Sequence, residues 1–168
     1  MSKYTTYYQS PIGMIRISGT ETYISEMIFA DELAHPSVDD ASGVAAPPLM
    51  IHATEQLIQY FHGQLRVFDL PINQEGTEFQ QKVWHELVNI PYGKTISYQD
   101  LSRRLGNPKV IRAAASANGR NHICIVVPCH RVIGSKNDLV GYAGGLWRKK
   151  WLLSLENKIA HGVQTLFS

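Results

Sequence analysis

The chain has 168 residues, 44% of them hydrophobic and 18% charged, with a formal net charge of +2. That is enough apolar material to bury a core as one domain or as two small ones. No apolar run approaches the roughly 18 residues of a membrane span, and no apolar segment follows the polar start Met1-Ser2-Lys3-Tyr4-Thr5-Thr6. Two cysteines, Cys124 and Cys129, provide no disulfide framework, so a soluble, cytoplasmic protein in a reducing compartment is expected.

The net charge hides a split. Residues 1–75 carry three Lys/Arg and nine Asp/Glu, residues 76–168 thirteen and five, so the halves hold about −6 and +8. A split of that size points to a polyanion, nucleic acid above all, as the partner of the second half. It also suggests a division into domains at 1–75 and 76–168.

In chain order, Tyr4–Tyr8, Met14–Ser18 and Tyr23–Phe29 read as strands rich in β-branched and aromatic residues. Ser10-Pro11-Ile12-Gly13 turns between the first two, which makes an antiparallel meander. The Pro-, Ser-, Gly- and Ala-rich stretch from Asp31 to Pro48 reads as an exposed, mobile loop. A helix over Leu49 to Phe61, closed by Gly63, and a strand around Leu65 to Leu70 complete a half in which nothing looks chemical. His52 and His62 read as surface or core histidines.

The second half opens with capping-box spacing at Thr77-Glu78-Phe79-Gln80. The helix that follows places Phe79, Val83, Trp84, Leu87 and Val88 on one stripe and is ended by Pro91. After the turn Tyr92-Gly93-Lys94, Ser97 caps a helix running to about Leu105. Gly106-Asn107-Pro108 closes it and opens the next, so the pair reads as a helix-turn-helix. On the second helix Val110, Ala113, Ala114 and Ala117 form an inner side, and Lys109, Arg112 and Ser116 a basic outer side. The slim run Ala113-Ala114-Ala115-Ser116-Ala117 lets the backbone approach closely. That suits a minor groove, with Arg112 as a protruding wedge, better than the wide major groove.

The string Ile125-Val126-Val127-Pro128-Cys129-His130-Arg131 then puts a thiol, a potential base and a fixed cation side by side after a run that reads as a buried strand. A cysteine attacks as thiolate and needs such help at neutral pH. Pro128 marks the strand end, where a turn could expose the thiol. A DNA-reading helix beside an activated cysteine suggests chemistry on a base turned out of the stack, with Gly141-Tyr142-Ala143-Gly144-Gly145 as a flexible pocket loop with an aromatic wall. A zinc site built from His122, Cys124, Cys129 and His130 is disfavoured, because the spacing lacks a C-x2-C knuckle and a second pair.

Pro128-Cys129-His130-Arg131, with Asn121 eight residues earlier and Gly141-Tyr142-Ala143-Gly144-Gly145 after it, resembles the active-site region of the O6-alkylguanine-DNA alkyltransferases. The resemblance covers essentially the whole second half, and the first half is compatible with the family's ribonuclease-H-like domain. It implies an α+β protein with an N-terminal ribonuclease-H-like α/β domain and a C-terminal, mostly helical domain carrying a winged-type helix-turn-helix. The implied activity is direct-reversal repair. O6-alkylguanine is flipped out of duplex DNA through the minor groove, and its alkyl group moves irreversibly to the protein's own cysteine, one per molecule.

By position, Cys129 resembles the alkyl acceptor, His130 the base acting through a water, and Glu156 the carboxylate orienting that histidine. Asn121 resembles the hinge asparagine, Tyr98 the tyrosine that helps rotate the nucleotide, and Lys149 a lysine that assists the leaving guanine. Arg112 resembles the finger filling the vacated stack, flanked on the duplex by Lys109, Ala113, Ala115 and Ser116. Tyr142, Ala143, Gly144 and Val132 resemble the substrate pocket. The implied partner is duplex DNA containing O6-alkylguanine, bound by a monomer with room for cooperation along the duplex. No cofactor, metal or membrane is implied. Ala143 stands where some relatives have serine, and the first half lacks the cysteines that bind zinc in some of them. Three other readings compete. An alkyltransferase-like damage sensor carries another residue, often tryptophan, in place of Cys129. A Cys-His-Asn hydrolase would turn over. A redox-sensing regulator would more often be dimeric and read the major groove.

Overall fold

The computed structural model describes residues 2–31, 46–134 and 138–162; of the loop expected between Asp31 and Pro48, residues 32–45 lie outside them. The chain divides into two compact units, Met1–Gln74 and Glu75–Ser168.

In the first unit β1 (Tyr4–Ser10), β2 (Gly13–Gly19) and β3 (Ile24–Phe29) form an antiparallel sheet in that order, with Tyr4 opposite Gly19 and Ile15 opposite Phe29. The β1–β2 turn is locked by Ser10 Oγ, which donates to the Gly13 carbonyl (2.6 Å) and accepts from the Ile12 N–H (3.1 Å). Helix α1 (Pro48–Phe61) starts with proline at its first position, where no intrahelical N–H bond is lost. It buries Met50, Ala53, Leu57, Tyr60 and Phe61, each large side chain worth about 1.5–3 kcal/mol in area removed from water.

The strand expected around Leu65 to Leu70 is absent. Val67 is 77% exposed there, and the backbone of Asp69 bonds the side-chain amide of Gln56 on α1 in place of a ladder (3.0 and 3.1 Å). A single bridge, Ile24 to Ile72, reaches the sheet beyond it.

In the second unit Thr77 caps α2 (Glu78–Val88) with the full reciprocal box to Gln80. Val83, Trp84 and Leu87 form its buried stripe, whereas Val88 is 46% exposed and the helix stops at Val88, three residues before Pro91. β4 (Ile96–Ser97) leads directly into α3 (Tyr98–Arg104), capped by Ser97 and Asp100. Gly106 then takes φ +86°, the left-handed conformation that closes a helix at least cost. Asn107 caps a 3-10 turn, Pro108–Val110, which runs into α4 (Ile111–Gly119).

Trp84 Nε1 donates to the Ala117 carbonyl at 2.9 Å and fixes α4 against α2. β5 (Val132–Ile133) pairs in parallel with β4, Ile96 opposite Val132, so the chain leaving Cys129 is held beside the start of α3. Helix α5 (Leu146–His161) buries Leu152 and Leu153. Among the described residues no helix is long and apolar enough to cross a membrane.

Candidate active site

The apolar run before Cys129 is buried, but it is not the expected strand. Ile125 adopts φ +73°, and the Val126 N–H bonds back to the Cys124 carbonyl at 2.8 Å, which is the rare form of the three-residue γ-turn. A β-branched residue in that region costs on the order of 1–3 kcal/mol. Pro128 follows with φ −81° and ψ 66°, and the Cys129 N–H donates to Val127 at 2.8 Å, an inverse γ-turn. The chain thus reverses twice in six residues.

Asn121 holds the reversal together. Its Nδ2 donates to Val127 (2.8 Å) and Ile123 (3.3 Å), and its Oδ1 accepts from the Ile123 N–H (3.0 Å). Asn118, on α4 itself, donates to the Cys129 carbonyl at 3.4 Å and to the Tyr98 hydroxyl at 3.5 Å. The last turn of the helix-turn-helix is therefore bonded to the backbone of the cysteine. Contrary to the expectation drawn from Pro128, the turn does not expose the thiol, since Cys129 is only 4% exposed.

From the 3-10 turn Cys129–Arg131, His130 Nε2 and Arg131 both meet Glu156 of α5. His130 Nε2 lies 2.6 Å from Glu156 Oε2. Arg131 donates from Nε to Oε1 (2.7 Å) and from Nη2 to Oε2 (3.0 Å), and its Nη1 reaches the Ile90 carbonyl (2.7 Å). Gly93, at φ +77°, adds its N–H at 3.3 Å, and a Cβ there would come within 2.6 Å of Ala160. Burial by itself would raise the Glu156 carboxyl; His130 and Arg131 outweigh it and hold the group well below the usual carboxylate range.

Burial also pushes the His130 imidazole below its ordinary value against the pull of Glu156. A neutral ring facing a carboxylate must place its proton on Nε2, which leaves Nδ1 as the acceptor. His130 Nδ1 is buried with no protein hydrogen-bond partner among the described residues.

Other groups act on the thiol. The neighbouring Cys124 thiol, then Asn121 and the charge of Lys149, outweigh burial and draw Cys129 below the ordinary thiol value. The cation that serves Cys129 is thus Lys149 from α5, where adjacency suggested Arg131. Lys149 has no exposed surface, and burial pushes it down to about 8. Its Nζ donates to the carbonyls of Val140 (2.8 Å) and Gly141 (3.0 Å) and lies 5.9 Å from the centre of the Tyr98 ring.

The Tyr98 hydroxyl, raised by burial and by the charge of Cys129, donates to the same Val140 carbonyl at 3.3 Å. Tyr142 is half-buried, Ala143 is exposed, and the Gly144 carbonyl accepts from Arg148 Nη1 at 3.1 Å. Val132 is wholly buried in β5, as core beneath the turn.

On α4 the buried stripe is Ala114, Ala117 and Asn118. Ala113 is exposed beside Arg112 and Ser116, Lys109 is exposed, and Val110 and Ala115 are half-buried. Ala113, expected on the inner side, is on the outer one, while Val110 is half-covered. The 3-10 start shifts the helical phase, and the covered stripe is narrower than a 3.6-residue pattern of alanines suggests.

Residues 3–74 match the profile of the 6-O-methylguanine DNA methyltransferase ribonuclease-like domain, and residues 78–158 that of the same family's DNA-binding domain. The methylated-DNA–protein-cysteine methyltransferase of Mycolicibacterium paratuberculosis is 42% identical over 99% of each chain. The constitutive one of Bacillus subtilis is 40% identical over 93% of this chain and 96% of its own. The chain belongs to the 6-O-methylguanine DNA methyltransferase family.

The crystal structure of the Mycobacterium tuberculosis O6-methylguanine methyltransferase superposes with a TM-score of 0.83 at 39% identity, covering 99% of this chain and all of that one. A second structure of that relative, in complex with DNA, gives 0.80 at 38% identity over 94% and 93%. The fold is therefore the family's, an N-terminal ribonuclease-like half and a C-terminal DNA-binding half.

In this member of the methyltransferase family the cluster brings together Cys129, His130, Glu156, Asn121, Tyr98 and Lys149, while Arg112, Lys109 and Ser116 stay on the outer face of α4. Four contributors escaped the sequence reading as site residues: Arg131 as the partner of Glu156, Asn118, Arg148 and Cys124. Only Asn118 left a signal, as a polar residue one helical turn from Ala114 on the buried stripe.

Proposed function

We propose that the chain flips an O6-alkylguanine out of duplex DNA from the minor-groove side and transfers the alkyl group to Cys129 Sγ once per molecule. The coarser statement is direct-reversal DNA repair by an enzyme of the methylated-DNA–protein-cysteine methyltransferase class, as the relatives are named. The observation that carries the finer reading is the buried Cys129 thiol, drawn down by its neighbours and followed directly by a neutral His130 whose far nitrogen is locked on Glu156.

His130 Nδ1, through a water, accepts the thiol proton, and Glu156 stabilises the imidazolium that forms. The thiolate attacks the alkyl carbon, forming an S–C bond as the C–O6 bond breaks. The electron pair left on guanine is met by a proton or hydrogen bond from Tyr98 or Lys149. The product is a thioether with no carbonyl for water to attack, so the site is not regenerated. On the duplex, the exposed row Lys109, Arg112 and Ser116 lies along the minor groove, with Arg112 in the vacated stack.

Incubation with duplex DNA containing O6-methylguanine, followed by the intact mass and then the mass of the Cys129 peptide, tests the reading. One methyl on Cys129, saturating at one per molecule, is expected; unchanged protein that binds tightly would instead make the chain a damage sensor. A second test separates flipping from chemistry. Arg112→Ala should slow repair of duplex DNA by about tenfold, because about 1.4 kcal/mol of the unstacking cost of a few kcal/mol loses its compensation. Transfer from free O6-benzylguanine, which needs no flipping, should stay unchanged. Equal losses on both substrates would remove Arg112 from the wedge role.

A further inference from the structure

Asn118 lies on the buried stripe of α4, where an apolar side chain would serve the packing, and the reaction above does not use it. It is 4% exposed, and its Oδ1 is buried with no hydrogen-bond partner among the described residues. Its Nδ2 lies 3.4 Å from the Cys129 carbonyl and 3.5 Å from the Tyr98 hydroxyl. A carbonyl oxygen only accepts, so the amide is held this way round and Nδ2 is the atom that faces both groups.

Neither acceptor depends on Asn118 for folding. The Cys129 carbonyl also takes a backbone N–H where its 3-10 turn ends at Val132, and the Tyr98 hydroxyl donates to the Val140 carbonyl at 3.3 Å. A buried amide with an orphan carbonyl and two long bonds to groups already partnered contributes little to stability. What it does supply is a direction. With Asn118 donating to the Tyr98 oxygen, the tyrosine must use its own O–H as a donor, and in the free site that O–H goes to Val140. The Val140 carbonyl also accepts from Lys149 Nζ at 2.8 Å, so Tyr98 can release it without leaving it unpaired.

We propose that Asn118 is a positioning residue for Tyr98: by occupying the acceptor side of the phenol from the last turn of α4, it obliges Tyr98 to meet the flipped guanine as a hydrogen-bond donor. That is the polarity a departing guanine needs as the electron pair of the broken C–O6 bond comes to rest on it. The proposal rests on the transfer described above, in which Tyr98 meets that pair. Asn118 itself makes no bond to the substrate.

The test is a double-mutant cycle on the single-turnover rate of alkyl transfer from O6-methylguanine duplex DNA, with the melting temperature of each variant read alongside. Asn118→Leu keeps a similar shape and removes the donor. It should slow transfer about tenfold, while the melting temperature stays within about 3 °C of the parent because no partner is orphaned. Tyr98→Phe should slow transfer by a similar factor. In that background Asn118→Leu should cost less than about threefold, since the hydroxyl it directs is gone. Asn118→Ala crowds nothing and should repeat the pattern, which provides the reading where leucine does not fit.

Parent rates in both Asn118 variants would overturn the proposal. Losses as large in the Tyr98→Phe background as in the parent would overturn it too, and would make Asn118 a support of the turn alone. A parent chain that takes up no alkyl group would fail the acceptor reading instead. The same cycle is then read on affinity for the alkylated duplex, to which the bond donated by Tyr98 also contributes: coupled losses uphold the role of Asn118 and additive losses overturn it.

Discussion

Cys129→Ser is expected to bind alkylated duplex DNA as the parent chain does and to take up no alkyl group, a loss on the order of a thousandfold or more in transfer. The neighbouring Cys124 and Asn121 and the charge of Lys149 draw a thiol below its ordinary value. The same groups leave a serine hydroxyl, which ionises many units higher, almost wholly protonated. Oxygen for sulfur is a small change in volume, so the stability cost should stay under about 1.5 kcal/mol. Intact mass after incubation with O6-methylguanine duplex, with a parallel DNA titration, reads both halves of the expectation. Methyl found on the serine variant would end the assignment of Cys129 as nucleophile.

Glu156→Gln is expected to cost about 3 kcal/mol of stability near pH 7 in urea unfolding, because it leaves Arg131 buried without its counter-charge and His130 without its anchor. The cost should depend on pH in a definite direction. The folded carboxyl is held below its unfolded value of about 4.3, so as pH falls the unfolded state takes the proton first. The stabilisation is complete above about pH 4.3 and is lost as pH falls below it toward the depressed folded value.

The gap between parent and Glu156→Gln should therefore narrow by about 1 kcal/mol between pH 7 and pH 3.5. His130 adds a separate slope with the same sign. Its folded value is lowered, so the unfolded state binds the extra proton once pH falls below about 6.5, and stability falls with it in the parent chain. A gap that stays constant down to pH 3.5 would mean that Glu156 is not ionised in the folded protein.

Much of this molecule was legible without coordinates, wherever the signal is local. Thr77 with Gln80 and Ser97 with Asp100 form caps because a hydroxyl and an acceptor three residues apart satisfy orphan N–H groups whatever lies around them. The same holds for Gly106, which ends α3 at φ +86°. The misreadings share a cause. Ile123 to Val127 has a strand's composition, yet the side chain of Asn121 takes up the hydrogen bonds that a neighbouring strand would have made, and the run folds back as a γ-turn. The segment from Leu65 to Leu70 has a strand's composition too, and Gln56 of α1 takes up the backbone groups of Asp69. In both places one side-chain amide decided the backbone, Asn121 from two and six residues away and Gln56 from thirteen.

The sequence by itself determined the caps, the helix-turn-helix, the charge split and the presence of a thiol beside an imidazole, because each depends on residues close along the chain. The tertiary structure alone decided what acts on that thiol. Arg131, its close neighbour, turns to Glu156, while Lys149, twenty residues on, and Cys124, across the reversal, bear on the sulfur. The reason is geometric. Side chains diverge around a tight turn, so adjacency in sequence says little about which charge shares a buried pocket, and in a buried pocket the nearest charges and donors set the ionisation.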